Sequence, residues 1–243
     1  MKILSPNESA KKLTKKNKNL DYLLKKRFNW MKKYISKKRT VIELGSGNGF
    51  IKKYLGKKII TSDLKTHQNI DYKFDMNNLK LPKKLKKKVN VFILNHSLHH
   101  CKDPLELIRI MKDNLKKNGF ILINEPEISF VFKFFLKIFN HERWDLDVSK
   151  SNQKNFWLQN NATGRILFKK NFENKFVKQN FYVVKNQLNE FLIFLNSGGN
   201  SVNSPHIKLS ETNLNLLNKL DDFLIKVSPE IFALNRRIVL KKK

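Results

Sequence analysis

The sequence has one cysteine, Cys101, among 243 residues. That excludes an internal disulfide framework and any zinc site built on cysteine, and it suits a reducing compartment. Alanine (3), glycine (8) and proline (6) are scarce, which removes collagen-like and Gly/Pro-rich disordered architectures. No stretch approaches the roughly 18 uncharged apolar residues of a membrane-spanning helix. The opening MKILSPNESAKKL lacks the apolar centre of a secretory signal, so the expected location is the cytoplasm. Acidic residues are also few, 20 against 50 Lys and Arg, for a formal net charge of +30. Such a charge ordinarily points to nucleic acid or an anionic membrane surface. Arginine, however, numbers only 7 against 43 lysines, and nucleic-acid readers favour its bidentate fork. With 30 Asn, 20 Ile and 19 Phe, the excess follows AT-rich codons and reads as charge spread over a surface. What remains is a globular composition, 40% hydrophobic, in a chain long enough to bury a core.

Residues 7–35 read as one amphipathic helix capped by Asn7 or Ser9, with Leu13, Leu20, Leu24, Phe28, Met31 and Ile35 at helical spacing. Thr40–Leu44 reads as a buried strand closed by Gly45, Gly47 and Gly49, followed by a helix through Ile51, Tyr54 and Leu55 that stops near Gly56. Lys58–Ser62 is a second strand ending at Asp63, and Val89–Leu94 is the strongest strand of all. Pro104–Leu115 is a helix with proline in its first turn and Asn118-Gly119 as its stop. Phe120–Asn124 is another buried strand, closed by Glu125-Pro126. Farther on, Phe181–Val184, a helix at 213–226 and Arg237–Leu240 add two strands and a helix. Strands alternating with helices predict an α/β fold, a mostly parallel sheet with helices on both faces. Strands made of unbroken apolar runs suit burial on both faces. Residues 127–175 break the rhythm and read as an insertion over the carboxyl edge of the sheet, where sites of this architecture lie.

The chemistry concentrates in Val41-Ile-Glu-Leu-Gly-Ser-Gly-Asn-Gly49. Glycines after a strand let a ligand approach the backbone, and the following helix offers free N–H groups. The dinucleotide fingerprint requires a third glycine where Phe50 stands. Glu43, just before the turn, would repel a pyrophosphate and attract a cation. Twenty residues on, Asp63 ends the next strand, where a carboxylate takes both ribose hydroxyls. A nucleoside with a positive charge and no phosphate describes S-adenosylmethionine.

Over residues 38–126 the chain resembles the class I S-adenosylmethionine-dependent methyltransferases, in particular their type 11 group. Glu43–Gly49 matches the glycine-rich first motif, Asp63 the acidic end of the second strand, and Asp75-Met76 the acidic-apolar pair, followed by Leu81-Pro82. Val89–Leu94 with Asn95-His-Ser-Leu-His-His100 matches the fourth strand and its loop, and Leu115–Phe120 with Glu125-Pro126 the fifth. Asn90 departs from the acidic residue usual in strand four, and Asn118-Gly119 from a Gly-Gly turn. The resemblance implies a Rossmann-like fold in one domain. Its parts are a helical N-terminal extension (1–37), a cofactor-binding core (38–126), an insertion or acceptor lid (127–175) and the C-terminal part of the sheet (176–243). It also implies roles. Asp63 binds the ribose diol, Asp75 accepts from the adenine amino group, and the Met76 backbone meets the ring. Gly45 and Gly47 line the methionine portion, with Glu43 near its ammonium and Asn95 beside it.

For a hydroxyl acceptor, a general base has to remove a proton, and histidine is the residue suited to neutral pH. His96, His99, His100 and His141 are the candidates, with Glu142 able to orient one. The three histidines at 96–100 also invite a metal reading, but no cysteine or carboxylate stands at ligand spacing beside them, and no metal is expected. His141–Asp145, Asn161–Thr163 and Ser197–Gly199 are similar to segments of methyltransferases encoded with cell-surface glycan genes, which suggests a small-molecule or glycan/lipid-linked acceptor. The missing Asn-Pro-Pro-Tyr-type signature after strand four argues against DNA amino-methylation. Residues 128–139, rich in Phe with Lys133 and Lys137, read as a lid helix, with a membrane interface or a dimer contact as the other readings. An RNA-binding enzyme or module exploiting the charge, and a cofactor-binding scaffold without turnover, are the rival functions.

Overall fold

The computed structural model describes residues 17–36, 38–139, 142–169, 175–199 and 204–243. Seven strands form one sheet: β1 (Val41–Leu44), β2 (Ile60–Asp63), β3 (Tyr72–Lys73), β4 (Val89–Asn95), β5 (Leu115–Pro126), β6 (Phe181–Asn189) and β7 (Asn235–Lys242). Their order is β3-β2-β1-β4-β5-β7-β6. The first five strands pair in parallel, and β7 runs antiparallel to both β5 and β6. The helices are α1 (Lys18–Asn29), α2 (Ile51–Leu55), α3 (Pro104–Asn114), α4 (Phe130–Phe139), α5 (Thr163–Phe168), α6 (Lys175–Asn180), α7 (Leu192–Leu195), α8 (Glu211–Val227) and α9 (Pro229–Phe232).

The apolar runs of the central strands bury both of their faces, as double-sided covering requires. Ile42, Leu44, Phe92, Leu94, Ile121, Ile123, Ile238 and Leu240 point to one side and pack on Leu107, Ile108 and Met111 of α3 and on Leu167 and Phe168 of α5. The alternate residues Val41, Val91, Ile93, Leu122 and Val239 point to the other side, onto Leu20, Leu24 and Phe28 of α1 and Ile51 and Tyr54 of α2. Each such side chain contributes on the order of 1.5–3 kcal/mol by leaving water. The order reverses direction between β1 and β4, so the carboxyl ends of these two strands open a crevice.

Several boundaries differ from the sequence reading. The helix expected over 7–35 begins at Lys18, because Asn17 takes an extended backbone and its side chain accepts from the Leu20 N–H at 3.1 Å. Asn7, Ser9 and Leu13 lie outside the described residues. The Asn118-Gly119 stop is a bulge inside a longer β5, with Asn118 at φ +59°; the pairing jumps from Val89–Leu115 to Val91–Phe120. Both late strands and α8 run longer than expected, and β3 has too little apolar pattern to be read from sequence. The N-terminal helix is a layer of the main core more than an appendage: Arg27 makes a buried bidentate ion pair with Glu190 after β6, at 2.8–3.2 Å.

Candidate functional site

At the end of β1 the backbone turns through Gly45 (φ +67°) and Gly47 (φ +54°). A Cβ on Gly45 would stand 2.6 Å from Ser97 Cβ and 3.2 Å from the Met76 methyl, so the first glycine lets three segments converge. Nothing stands within 4 Å of a Cβ on Gly47, whose backbone faces open space. Ser97 locks the turn to the β4 loop through Oγ–H to the Leu44 carbonyl, 2.9 Å. The Gly47 N–H donates to Asp63 Oδ2 at 2.7 Å, and the Lys65 N–H to Asp63 Oδ1 at 3.1 Å. Asp63 is therefore tied directly to the glycine turn, with lone pairs remaining on both oxygens. His67, which the sequence reading missed, brings Nε2 within 2.6 Å of the Gly47 carbonyl.

Glu43 is 2% exposed, and its Oε2 has no hydrogen-bond partner among the described residues. Burial pushes its carboxyl up to about 8, offset in part by Ser46 and reinforced by the Asp63 charge. An unsatisfied buried carboxyl costs stability unless a donor or cation meets it. Asp75 is exposed and begins a short turn, accepting from the Asn77 N–H at 2.8 Å. Beside it a hollow of about 320 Å³, its mouth included, is lined by Met76, Asn77, Lys102 and Asp103 with Leu107 and Ile110 behind. Asn95 is half-buried at the end of β4, its Oδ1 accepting from Asn124 at 3.2 Å. The fold thus brings Glu43, Gly45, Gly47, Asp63 and Met76 together at the carboxyl ends of β1 and β2, with Asp75 next to Met76 and Asn95 at the end of β4. The residues present fit the chemistry of S-adenosylmethionine: an orphaned buried carboxyl suits a cation, space beside Gly47 suits close approach, and the Asp63 oxygens keep lone pairs for hydroxyls.

The histidines divide. His96 is partly buried with φ +54°, its Nε2 shut from solvent, and that desolvation holds it well below its usual range, so it stays neutral. His99 is 4% exposed, with Nδ1 2.6 Å from Glu125 Oε2 and Nε2 3.4 Å from Glu142. Burial alone would lower it, but Glu125 and Glu142 override that and hold it up at about 10. Held up in this way the ring favours its protonated form, which has no lone pair for a further proton, and its two carboxylate contacts tie the loop after β4 to β5 and to residue 142. His100, its ring 4.2 Å from that of His99, is lowered by burial and by the His99 charge, and is half-exposed with Nδ1 3.9 Å from Glu142. His141 lies outside the described residues. His99, His100 and Glu142 bring ligand atoms within 4.8 Å of one another, so the insertion sets beside these histidines a carboxylate that the sequence spacing does not show.

Glu125 is the residue whose weight the sequence reading underestimated, having taken it only as the end of a strand. It is fully buried, and Oε1 accepts from the Ser97 and Leu98 N–H groups at 3.0 and 2.8 Å. Helix α5 closes over it: a Cβ on Gly164 would stand 2.8 Å from Glu125 Cβ. In the insertion, Asn161 Nδ2 donates to Glu142 Oε2 at 3.3 Å. Trp144 and Trp157 pack against the cluster of Ile128, Phe132 and Phe156. Ser197 and Gly198 meet the Asn17 cap of α1, away from the crevice.

A family model described as "Methyltransferase domain" matches residues 16–186. No curated protein matches the chain. Similar solved structures include a SAM-dependent methyltransferase from Archaeoglobus fulgidus (18% identity, 91% of this chain and 94% of that one, TM-score 0.49). Another is an S-adenosylmethionine-dependent methyltransferase from Mesorhizobium loti (11%, 84% and 90%, 0.44). A third is phosphoethanolamine N-methyltransferase 2 of Haemonchus contortus with S-adenosyl-L-methionine (13%, 93% and 52%, 0.45).

Proposed function

The chain belongs to the methyltransferase-domain family and is an S-adenosylmethionine-dependent methyltransferase of the Rossmann-like class I fold; on that premise we propose that it methylates an oxygen of a small-molecule or glycan/lipid-linked acceptor. When bound, the cofactor supplies an electrophilic methyl group on a sulfonium. In this reading the residues of the chain do the rest. Asp63 accepts from the ribose hydroxyls, Asp75 from the adenine amino group, and the Met76 backbone meets the ring. Glu43 faces the ammonium, the Gly45 and Gly47 backbone lines the methionine portion, and Asn95 stands beside it. Residues 127–175 cover the acceptor as a lid. Displacement at the methyl carbon demands alignment, with the acceptor held about 3 Å away.

The observation that carries the choice of oxygen is His100. It is held below the usual histidine range, so it is neutral at pH 7, and it lies on the crevice side where the Asp63 charge reaches it. Its Nδ1 lies 3.9 Å from Glu142, and in this reading the lone pair of the neutral ring takes the hydroxyl proton. His99, a positioning residue, keeps the neighbouring ring neutral by its charge.

The cofactor half of the reading is tested by titrating S-adenosylhomocysteine calorimetrically into wild type, Asp63→Ala and Asp75→Ala. Micromolar binding weakened by about 1–3 kcal/mol in each variant is the expected result. Unchanged affinity in Asp63→Ala would remove Asp63 from the site.

A further inference from the structure

We propose that the layer formed by α4, α9 and α8 is a docking surface for an anionic lipid bilayer. Helix α4 packs Phe132 and Leu136 inward and presents Phe130, Phe134 and Ile138 outward, four residues apart, at 71, 62 and 57% exposure. Helix α8 packs Leu214 and Ile225 inward and exposes Leu216, Leu220, Phe223 and Val227 as a second stripe on the opposite face. Short helix α9 packs against both and adds exposed Ile231. Ile225 of α8 shares one buried cluster with Phe132 and Leu136, so the two stripes are the outer faces of helices packed on a common core. Soluble monomers rarely leave this much large apolar side chain together in water.

The charges decide the occupant. Lys133 and Lys137 flank the α4 stripe, and Lys219 and Lys226 flank that of α8. None of the four forms an ion pair among the described residues. The neighbouring acids are engaged elsewhere: Glu230 by Arg165 and Lys169, and Asp222 by Lys26. Exposed Glu211 stands at the far end of α8. A second copy seated on this face would set lysines against lysines in a chain already at +30, whereas anionic headgroups meet the lysines while the Phe and Ile side chains enter the interfacial layer. The proposal is independent of the acceptor's identity; it places the enzyme at a membrane surface whether or not the acceptor is lipid-linked.

Sedimentation with vesicles of phosphatidylcholine alone, and of phosphatidylcholine mixed with phosphatidylglycerol, tests it. Wild type is expected on the mixed vesicles and not on the neutral ones. Phe134→Ser with Phe223→Ser should weaken partitioning by tenfold or more, and Lys133→Glu with Lys137→Glu should abolish it. Phe134, Lys137 and Phe223 are exposed and Lys133 is partly so, and unchanged S-adenosylhomocysteine affinity serves as the check on folding. No wild-type binding to mixed vesicles overturns the proposal, as does binding that the Phe variants leave unchanged, which would assign it to bulk charge. A dimer in analytical ultracentrifugation that the Phe variants dissociate would give the face to a second copy and overturn it too.

Discussion

Two buried glutamates end two strands of the same sheet, and they are treated in opposite ways. Glu125, at the end of β5, has each oxygen engaged: two backbone N–H groups on one and the His99 ring on the other. Glu43, at the end of β1, is as deeply buried yet keeps an orphaned Oε2. A satisfied buried carboxylate fixes geometry, whereas an unsatisfied one is a cost the fold bears unless a ligand removes it. One carboxylate fixes a loop through its partners; the other leaves an oxygen without a partner among the described residues.

The largest test removes the satisfied partner. Glu125→Ala strips His99 of its first counter-charge and leaves two buried N–H groups unpaired, and chemical denaturation should show a loss of about 3–5 kcal/mol. The His99 pKa is raised on folding, so its contribution is complete below the unfolded value near 6.5 and is lost as pH climbs through about 10. The gap between wild type and variant should therefore narrow across that window; a gap below 1 kcal/mol at pH 6 would make the contact incidental.

Glu43→Gln sharpens the other side. The Glu43 pKa is also raised, to about 8, but for a carboxyl this means the fold prefers the neutral form. Wild-type stability contributed by this group should fall as pH rises from about 4.5 to 8, and the glutamine variant should flatten that slope. A cationic amino-acid moiety would pull the carboxyl back down, so S-adenosylhomocysteine binding at pH 7 should release protons. The release is read from calorimetry in buffers of different ionisation enthalpy, and it should vanish in Glu43→Gln. Equal proton release by both proteins would dissociate Glu43 from the ligand.

The smallest effect is spectroscopic. In ring-labelled protein, nuclear magnetic resonance should show His100 titrating below 6.5 while His99 stays protonated past pH 8, and Glu125→Gln should lower His99. Two histidines titrating together near 6.5 would erase the distinction that singles out His100.

Much of this molecule is written locally. The double-sided apolar runs at Val41–Leu44, Val89–Leu94 and Phe120–Asn124 needed only their period and their neighbours to be read as central strands. The glycine turn was legible because Gly45 and Gly47 take left-handed backbone that few other residues accept. Glu43 and Asp63 stood out because strand ends next to such a turn lie at the carboxyl edge of a doubly covered sheet. The start of α1 was misplaced because lysine-rich helical periodicity continues upstream of Asn17, and only the capping geometry marks the break. The bulge at Asn118-Gly119 was misread because the same dipeptide serves as a helix stop or a strand irregularity.

By itself, then, the sequence determined the alternation of elements, the burial pattern and the glycine turn at the end of β1, since these depend on side-chain period and turn conformation among near neighbours. Tertiary structure alone decided which histidine is a cation and which is neutral. Residues 99 and 100 are adjacent and chemically identical, and nothing local separates them. Glu125 arrives from another strand and Glu142 from the insertion, and their attraction outweighs desolvation at His99, whereas at His100 desolvation and the His99 charge prevail.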